Sequence, residues 1–187
     1  MCGRFTLHHN QTVKNNHKVS IEGSYNIAPS SEILVLLNTP ARLNWGLSVS
    51  WSGAEKLLIN CRSETMNEKK TFKQLTRCVI PMSGWYEWQR SASKKIPFYH
   101  FDLSDEMIYV AGLCNEKNVV VVTKEAESNV SYIHHRQPVL INENQVSDWN
   151  DGCALSDINH DYKIQTHRVS LLVNNPRNNS ADNILAA

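Results

Sequence analysis

Cys78-Val79-Ile80-Pro81-Met82-Ser83-Gly84-Trp85-Tyr86-Glu87-Trp88 is a run of β-branched and aromatic residues interrupted by one proline and the pair Ser83-Gly84. Such side chains fit a pleated, half-buried surface, and a small-residue pair between two such runs marks a turn. The stretch therefore predicts that Cys78–Pro81 turns into an aromatic strand over Trp85–Trp88. Downstream, Pro97–Phe101, Met107–Leu113 and Val119–Thr123 read as further strands. Upstream, Tyr25–Ser30 reads as a turn into a short buried strand at Ile33–Leu37, and Asn44–Leu47 as another extended segment. Helical signals are few. Ser63-Glu64-Thr65 opens a polar stretch in which Met66, Phe72, Leu75 and Cys78 could share a helix face, and Asn142–Asp148 suggests a short helix. Arg168–Leu172 reads as a closing strand, and the asparagine-rich run from Asn174 as loop or frayed end. Many short strands with few helices predict an α+β fold. The expectation is a single domain over residues 1–187, with a curled, barrel-like, mainly antiparallel β core.

Composition narrows the function classes. The 187 residues carry a formal net charge of +1, so a polycation that coats nucleic acid is disfavoured and any positive field must be local. No stretch approaches the roughly 18 apolar residues of a membrane span, and no signal peptide is indicated, so the expected location is the cytoplasm. The five cysteines (2, 61, 78, 114 and 153) are odd in number and widely spaced, which fits a reduced compartment. Eight histidines include the adjacent pairs His8-His9 and His134-His135. Neighbours in a strand point to opposite faces, and no H-x-x-x-H spacing occurs, so no metal site and no cofactor are expected.

Four segments carry residue types suited to chemistry. After loss of Met1, Cys2 would present an α-amine and a β-thiol on adjacent carbons. The amine condenses with an aldehyde to an imine, and the thiol then closes a five-membered thiazolidine. Ordinary pKa values of about 8 and about 8.5 leave both groups partly deprotonated near neutrality. Glu87 lies inside an aromatic strand, where burial would raise its pKa towards a useful proton carrier, although a strand whose Glu simply faces water explains it equally well. In Ile59-Asn60-Cys61-Arg62-Ser63-Glu64-Thr65 an amide can orient a reacting group and a guanidinium can clasp a phosphate, although the same residues could simply cap a helix. In Ile133-His134-His135-Arg136-Gln137-Pro138-Val139 a histidine suits proton shuttling, although a polar loop before a buried strand explains it equally well.

Taken together and in order, these segments resemble the SRAP family, the SOS response-associated peptidase domain of abasic-site processing proteins. The resemblance rests on Met1-Cys2-Gly3-Arg4-Phe5, Tyr25-Asn26-Ile27-Ala28-Pro29, and Trp45-Gly46-Leu47 with Trp51. It continues through residues 59–65, 78–81, 84–88 and 134–139 to Val173-Asn174. It implies a domain that senses abasic sites in single-stranded DNA and bonds to their ring-opened aldehyde through Cys2. Asn60 would hold the opened sugar, Glu87 would act as general acid and base, and His134 would assist imine formation and reversal. Arg4, Arg62 and Arg136 would clamp phosphates, while Trp45 and Trp51 would offer stacking surface. Autoproteolytic removal of Met1 and a lyase activity are implied likewise, with a monomer as the default. His135 stands where the family commonly has aspartate, and Cys61 where a small alanine is usual.

Two other function classes start from the same residues. An N-terminal-nucleophile amidohydrolase can also begin Met-Cys-Gly, with the thiol attacking an amide. A noncovalent single-stranded DNA-binding module would use the arginines without any chemistry.

Overall fold

The computed structural model describes residues 2–51, 53–90 and 94–187, except for the side chain of Trp51. Met1, whose removal the chemistry of Cys2 requires, and the stacking surface of Trp51 lie outside the described residues. The chain opens with β1 (Arg4–Leu7), α1 (Asn10–His17), β2 (Ser24–Ile27), β3 (Glu32–Val35), β4 (Ala41–Trp45) and β5 (Leu47–Trp51). Then come β6 (Ala54–Leu58), β7 (Asn60–Arg62), α2 (Lys70–Lys73), β8 (Thr76–Met82) and β9 (Gly84–Arg90). The second half holds β10 (Lys95–Asp102), β11 (Ile108–Cys114), β12 (Asn118–Glu125), β13 (Arg136–Pro138), β14 (Leu140–Ile141), α3 (Val146–Asn150) and β15 (Ile164–Arg168). The fold is α+β, mostly strand, and its sheets curl into a half-barrel.

One sheet runs β15-β10-β9-β1-β2, with every pairing antiparallel. The larger sheet runs β14-β11-β12-β4-β3, with β8 against β11 and with β7 and β13 against β12. Two of its pairings are parallel, β12 with β4 and β12 with β7. That departure from an antiparallel pattern brings Asn60 level with Val121 and Arg62 level with Thr123.

The aromatic strand explains how the two sheets meet. Side chains alternate across a strand, so Trp85 and Glu87 face one side of β9, and Tyr86 and Trp88 the other. Trp85 belongs to the main apolar core, and Tyr86 packs with Tyr99, Val169 and Val173 in a smaller cluster. Glu87 therefore points to the core side, which accounts for its 3% exposure. Gly84 begins the strand because a Cβ there would run into the His100 carbonyl and the Tyr99 hydroxyl. No described helix is long and apolar enough to cross a membrane.

Several elements differ from expectation. The helix face through Met66, Phe72, Leu75 and Cys78 dissolves into a 3-10 turn at Ser63–Thr65 and the single turn of α2. Thr76 to Met82 pair with β11 at seven successive positions, and that ladder outweighs the local helical spacing of Cys78. The closing strand sits at Ile164–Arg168, ahead of its expected place, and Leu171–Asn174 form a 3-10 turn. Tyr25–Ile27, read as a turn, is strand β2. Helix α1 has one buried residue, Val13, so no apolar stripe announces it.

The asparagine-rich tail is docked, not frayed. Asn26 Nδ2 donates to the carbonyls of Val173, Asn175 and Asn178 at 3.3, 3.0 and 2.7 Å. Asn179 Oδ1 accepts from the Tyr25 amide at 2.6 Å, and Asn183 is 1% exposed. Amide side chains here supplement a single antiparallel bridge between Ala186 and Val169.

Candidate active site

Strand β1 carries the N-terminal segment into the centre of the five-stranded sheet. Arg4 pairs with Tyr86 and Phe5 with Trp85, so the next step of the register brings Glu87 level with Gly3. Cys2 is fully buried. Asn60 Nδ2 donates to the Cys2 carbonyl at 2.8 Å, and Asn60 Oδ1 is buried with no hydrogen-bond partner among the described residues. Burial first, and the Glu87 carboxylate second, hold the Cys2 thiol far above the usual thiol range. Burial likewise raises the Glu87 carboxyl above its ordinary value.

His134 reaches the same place from the loop before β13. It lines, with Glu87, a cavity of about 410 Å³, to which Trp88, Arg90, Lys95 and Asn174 also contribute. Burial, then neighbouring positive charge, lowers its pKa to about 4, so the ring is neutral at pH 7. Residue 136 holds the ring at Nδ1, with its amide at 3.0 Å and its carbonyl at 3.2 Å from that nitrogen. The His134 and His135 rings stack with centroids 4.5 Å apart, because neither residue lies in a strand that would separate them. Cys2, Asn60, Glu87 and His134 thus converge from four separate elements, although up to 132 residues apart in sequence (134 − 2).

A second cavity of about 690 Å³ shares Trp88, Arg90 and His134 with the first and extends along Arg62, Gln89, Tyr132 and His135. The two form one groove with Arg62, Arg90 and Lys95 as cations on its walls. Sequence reading passed over Arg90, Lys95 and Tyr132. The available signal was a cation continuing the aromatic strand three residues beyond Glu87.

Three expected contacts sit elsewhere. Trp45 has no exposed surface: its ring packs edge-on against Phe5 at 5.1 Å, and Nε1 donates to the Ile59 carbonyl at 3.0 Å. A base has no face to stack on there. Arg136 is 8% exposed and holds Glu64 through two donors at 2.6 and 2.8 Å, with Nη2 also reaching the Thr123 carbonyl at 2.6 Å. Its fork is spent inside the protein, and the pairing pulls the Glu64 carboxyl down to about 2. Arg4 donates from Nη1 to Asn26 Oδ1 at 2.7 Å and to the Val173 carbonyl at 2.8 Å, so it ties the tail to β1. Of the three arginines read as phosphate clamps, Arg62 alone lies exposed along the groove.

The family model for SOS response associated peptidase (SRAP) matches residues 1–176. The chain belongs to the SRAP family. Among curated relatives of this SRAP chain, the abasic site processing protein YoqW of Bacillus subtilis is 32% identical, covering 97% of this chain and 98% of its own. The abasic site processing protein HMCES of Xenopus tropicalis is 31% identical over 85% of this chain and 64% of its own. The abasic site processing protein YedK of Escherichia coli is 26% identical over 86% and 83%. Among solved structures, a protein from Bordetella bronchiseptica superposes with a TM-score of 0.76 at 18% identity, covering 91% of the SRAP chain and 100% of its own. At that identity the likeness speaks for the fold alone.

Proposed function

We propose that this SRAP chain processes abasic sites in single-stranded DNA by forming a thiazolidine through Cys2 once Met1 has been removed. The observation that carries the proposal is the 2.8 Å hydrogen bond from Asn60 to the Cys2 carbonyl, beside a carboxyl that burial holds towards its protonated form. The names of the relatives support abasic-site processing as the broader activity.

An abasic deoxyribose opens from hemiacetal to aldehyde when its C1′ hydroxyl loses a proton and its ring oxygen gains one. Glu87 is suited to both transfers. The α-amine of Cys2 then adds to the aldehyde carbon, and water leaves with a proton from the acid as the imine forms. The thiol adds to the imine carbon, an S–C bond forms, and the thiol proton passes to nitrogen. One water is lost overall and nothing is oxidised or reduced. Burial disfavours a free thiolate, so the thiol proton has to leave as the S–C bond forms, and the imine nitrogen is its recipient. His134, kept neutral at pH 7 chiefly by burial, supplies a second proton carrier in a different environment from Glu87. Asn60 fixes the backbone from which both amine and thiol project.

An abasic site has no base to read, so affinity comes from the phosphate backbone. Arg62→Ala and Arg90→Ala are each expected to weaken noncovalent binding to single-stranded DNA uniformly across sequences. Each should reduce the log–log salt slope by about 0.7, as measured by fluorescence anisotropy over a salt series. Arg136→Lys should leave that slope unchanged.

The decisive test mixes the protein with single-stranded DNA bearing one abasic site, followed by a denaturing gel and intact mass analysis. An adduct at the summed mass less one water is expected, absent with undamaged DNA and lost in Cys2→Ala. Crosslinking by Cys2→Ala at the wild-type level would overturn the proposal. Glutamine hydrolysis without any DNA adduct would instead favour an amidohydrolase.

A further inference from the structure

Strand β1 has Cys2 before one end and His8-His9 after the other. Neither histidine lies in a strand, so the pleat does not separate their rings, and the expectation of opposite faces does not hold. The centroids are 5.0 Å apart with planes tilted by 36°. Asp105 Oδ1 lies 3.4 Å from His9 Nε2. One ligand atom from each of His8, His9 and Asp105 falls within 4.8 Å of the others.

His8 Nδ1 and both ring nitrogens of His9 are shielded from solvent and have no hydrogen-bond partner among the described residues. Buried polar atoms are ordinarily satisfied, and each neutral ring offers one lone pair, so one unsatisfied nitrogen from each histidine calls for a ligand that accepts lone pairs. The cluster is also held in place. Tyr25 stacks on His8 at 4.8 Å and 17°, and the His8 amide donates to Ser83 Oγ at 2.8 Å. Asp105 sits at φ +53 with its amide on the Asp102 carbonyl at 3.0 Å. Asp102 itself is occupied, since its two oxygens accept from the Lys163 and Ser104 amides at 2.7 and 2.8 Å.

We propose that His8, His9 and Asp105 form a binding site for a divalent transition-metal ion of the zinc type, with water completing the coordination. Two imidazoles and one carboxylate suit such an ion, whereas magnesium and calcium favour all-oxygen sets. With metal–ligand bonds of about 2.0 Å, tetrahedral ligand atoms lie about 3.3 Å apart, close to the His9–Asp105 spacing. Asp105 also lines an open cleft of about 790 Å³ whose walls carry Asp102, Glu106, Glu143 and Asp161 against one cation, Lys163, a balance that favours cations. At about 3.3 Å per residue the site lies roughly 20 Å along the chain from Cys2. It neither depends on the crosslinking chemistry nor contributes to it.

The test is a titration of the full chain with Zn²⁺ and Co²⁺ at pH 7.5 in competition with a chromophoric chelator. One equivalent is expected to bind with a dissociation constant of about 10 µM or tighter, with a visible Co²⁺ absorption band, and excess Mg²⁺ should not displace it. Asp105→Asn should weaken binding on the order of 10-fold or more, and His8→Gln with His9→Gln on the order of 100-fold. Cys2→Ser and His134→Ala with His135→Ala should keep the single equivalent. Wild-type binding weaker than about 100 µM would overturn the site, as would wild-type affinity in Asp105→Asn or loss of the equivalent in Cys2→Ser. The Asp105 side chain is 85% exposed, so its substitution tests the ligand role without threatening the fold.

Discussion

Glu87→Gln is expected to slow crosslinking to abasic DNA by about 10²- to 10⁴-fold, the range for loss of a positioned proton carrier, while noncovalent DNA binding stays near wild type. Gel-based time courses and anisotropy on the same preparation separate the two quantities. Stability should move the other way. Burial raises the folded-state pKa of Glu87, so the folded protein favours the protonated form more than the unfolded chain does. The contribution is fully present below the unfolded value of 4.5 and is lost as pH rises through the folded value. Glutamine mimics the protonated carboxyl without that loss. Glu87→Gln should therefore melt higher than wild type at pH 7 to 8, with the difference closing towards pH 4.5. A group that costs stability at working pH and speeds the reaction has the profile of a functional residue. A variant that melts lower at every pH would show Glu87 to be a structural support instead.

Trp45→Ala is expected to lower stability by about 3–5 kcal/mol, which corresponds to a fall in Tm of about 6–20 °C for a chain of this size. The ring is fully buried, packs edge-on to Phe5, and gives its N–H to the Ile59 carbonyl. Truncation leaves a cavity and removes one of the two donors to the Ile59 carbonyl, which keeps the Val121 amide at 3.1 Å. Trp45→Phe refills most of the space and should restore much of the Tm. If Trp45 is core, a folded Trp45→Phe binds undamaged and abasic single strands like wild type. A folded Trp45→Phe with DNA affinity reduced on the order of 10-fold would return this residue to the nucleic-acid surface.

The contrast between Trp45 and Trp88 shows where sequence reading stops. Both are tryptophans in mixed neighbourhoods, and one is core while the other lines the groove. Residue type carries hydrophobic area but not direction. The strand at Trp85–Trp88 was legible because its composition and its Ser83-Gly84 turn act locally. The convergence of Cys2, Asn60, Glu87 and His134 was not legible from spacing, since it depends on β1 meeting β9 and on the parallel pairing of β7 with β12. It was anticipated only through the resemblance of the motifs taken in order. Arg136 was misplaced because its partner Glu64 lies 72 residues away, and no local pattern shows that a guanidinium is already engaged. The helix through Cys78 failed for the same reason, with a long-range ladder overriding local periodicity. His8-His9 was set aside on the premise of a strand that ends one residue earlier, at Leu7.

The hydrogen bond from Arg4 to the Val173 carbonyl spans 169 positions. A ribosome adding about 5–20 residues per second needs roughly 10 to 30 seconds between the two. Arg4, two residues after Cys2, is therefore made well before the carbonyl that fixes it to the tail. On the proposed chemistry, a Cys2 freed of Met1 early in that interval would meet free aldehydes before Asn60, Glu87 and His134 had been made. Leaving Met1 in place until Val173 arrives would keep the α-amine masked for as long as the shelter is unfinished, so the timing of one peptide-bond cleavage decides whether the warhead is armed early or on completion.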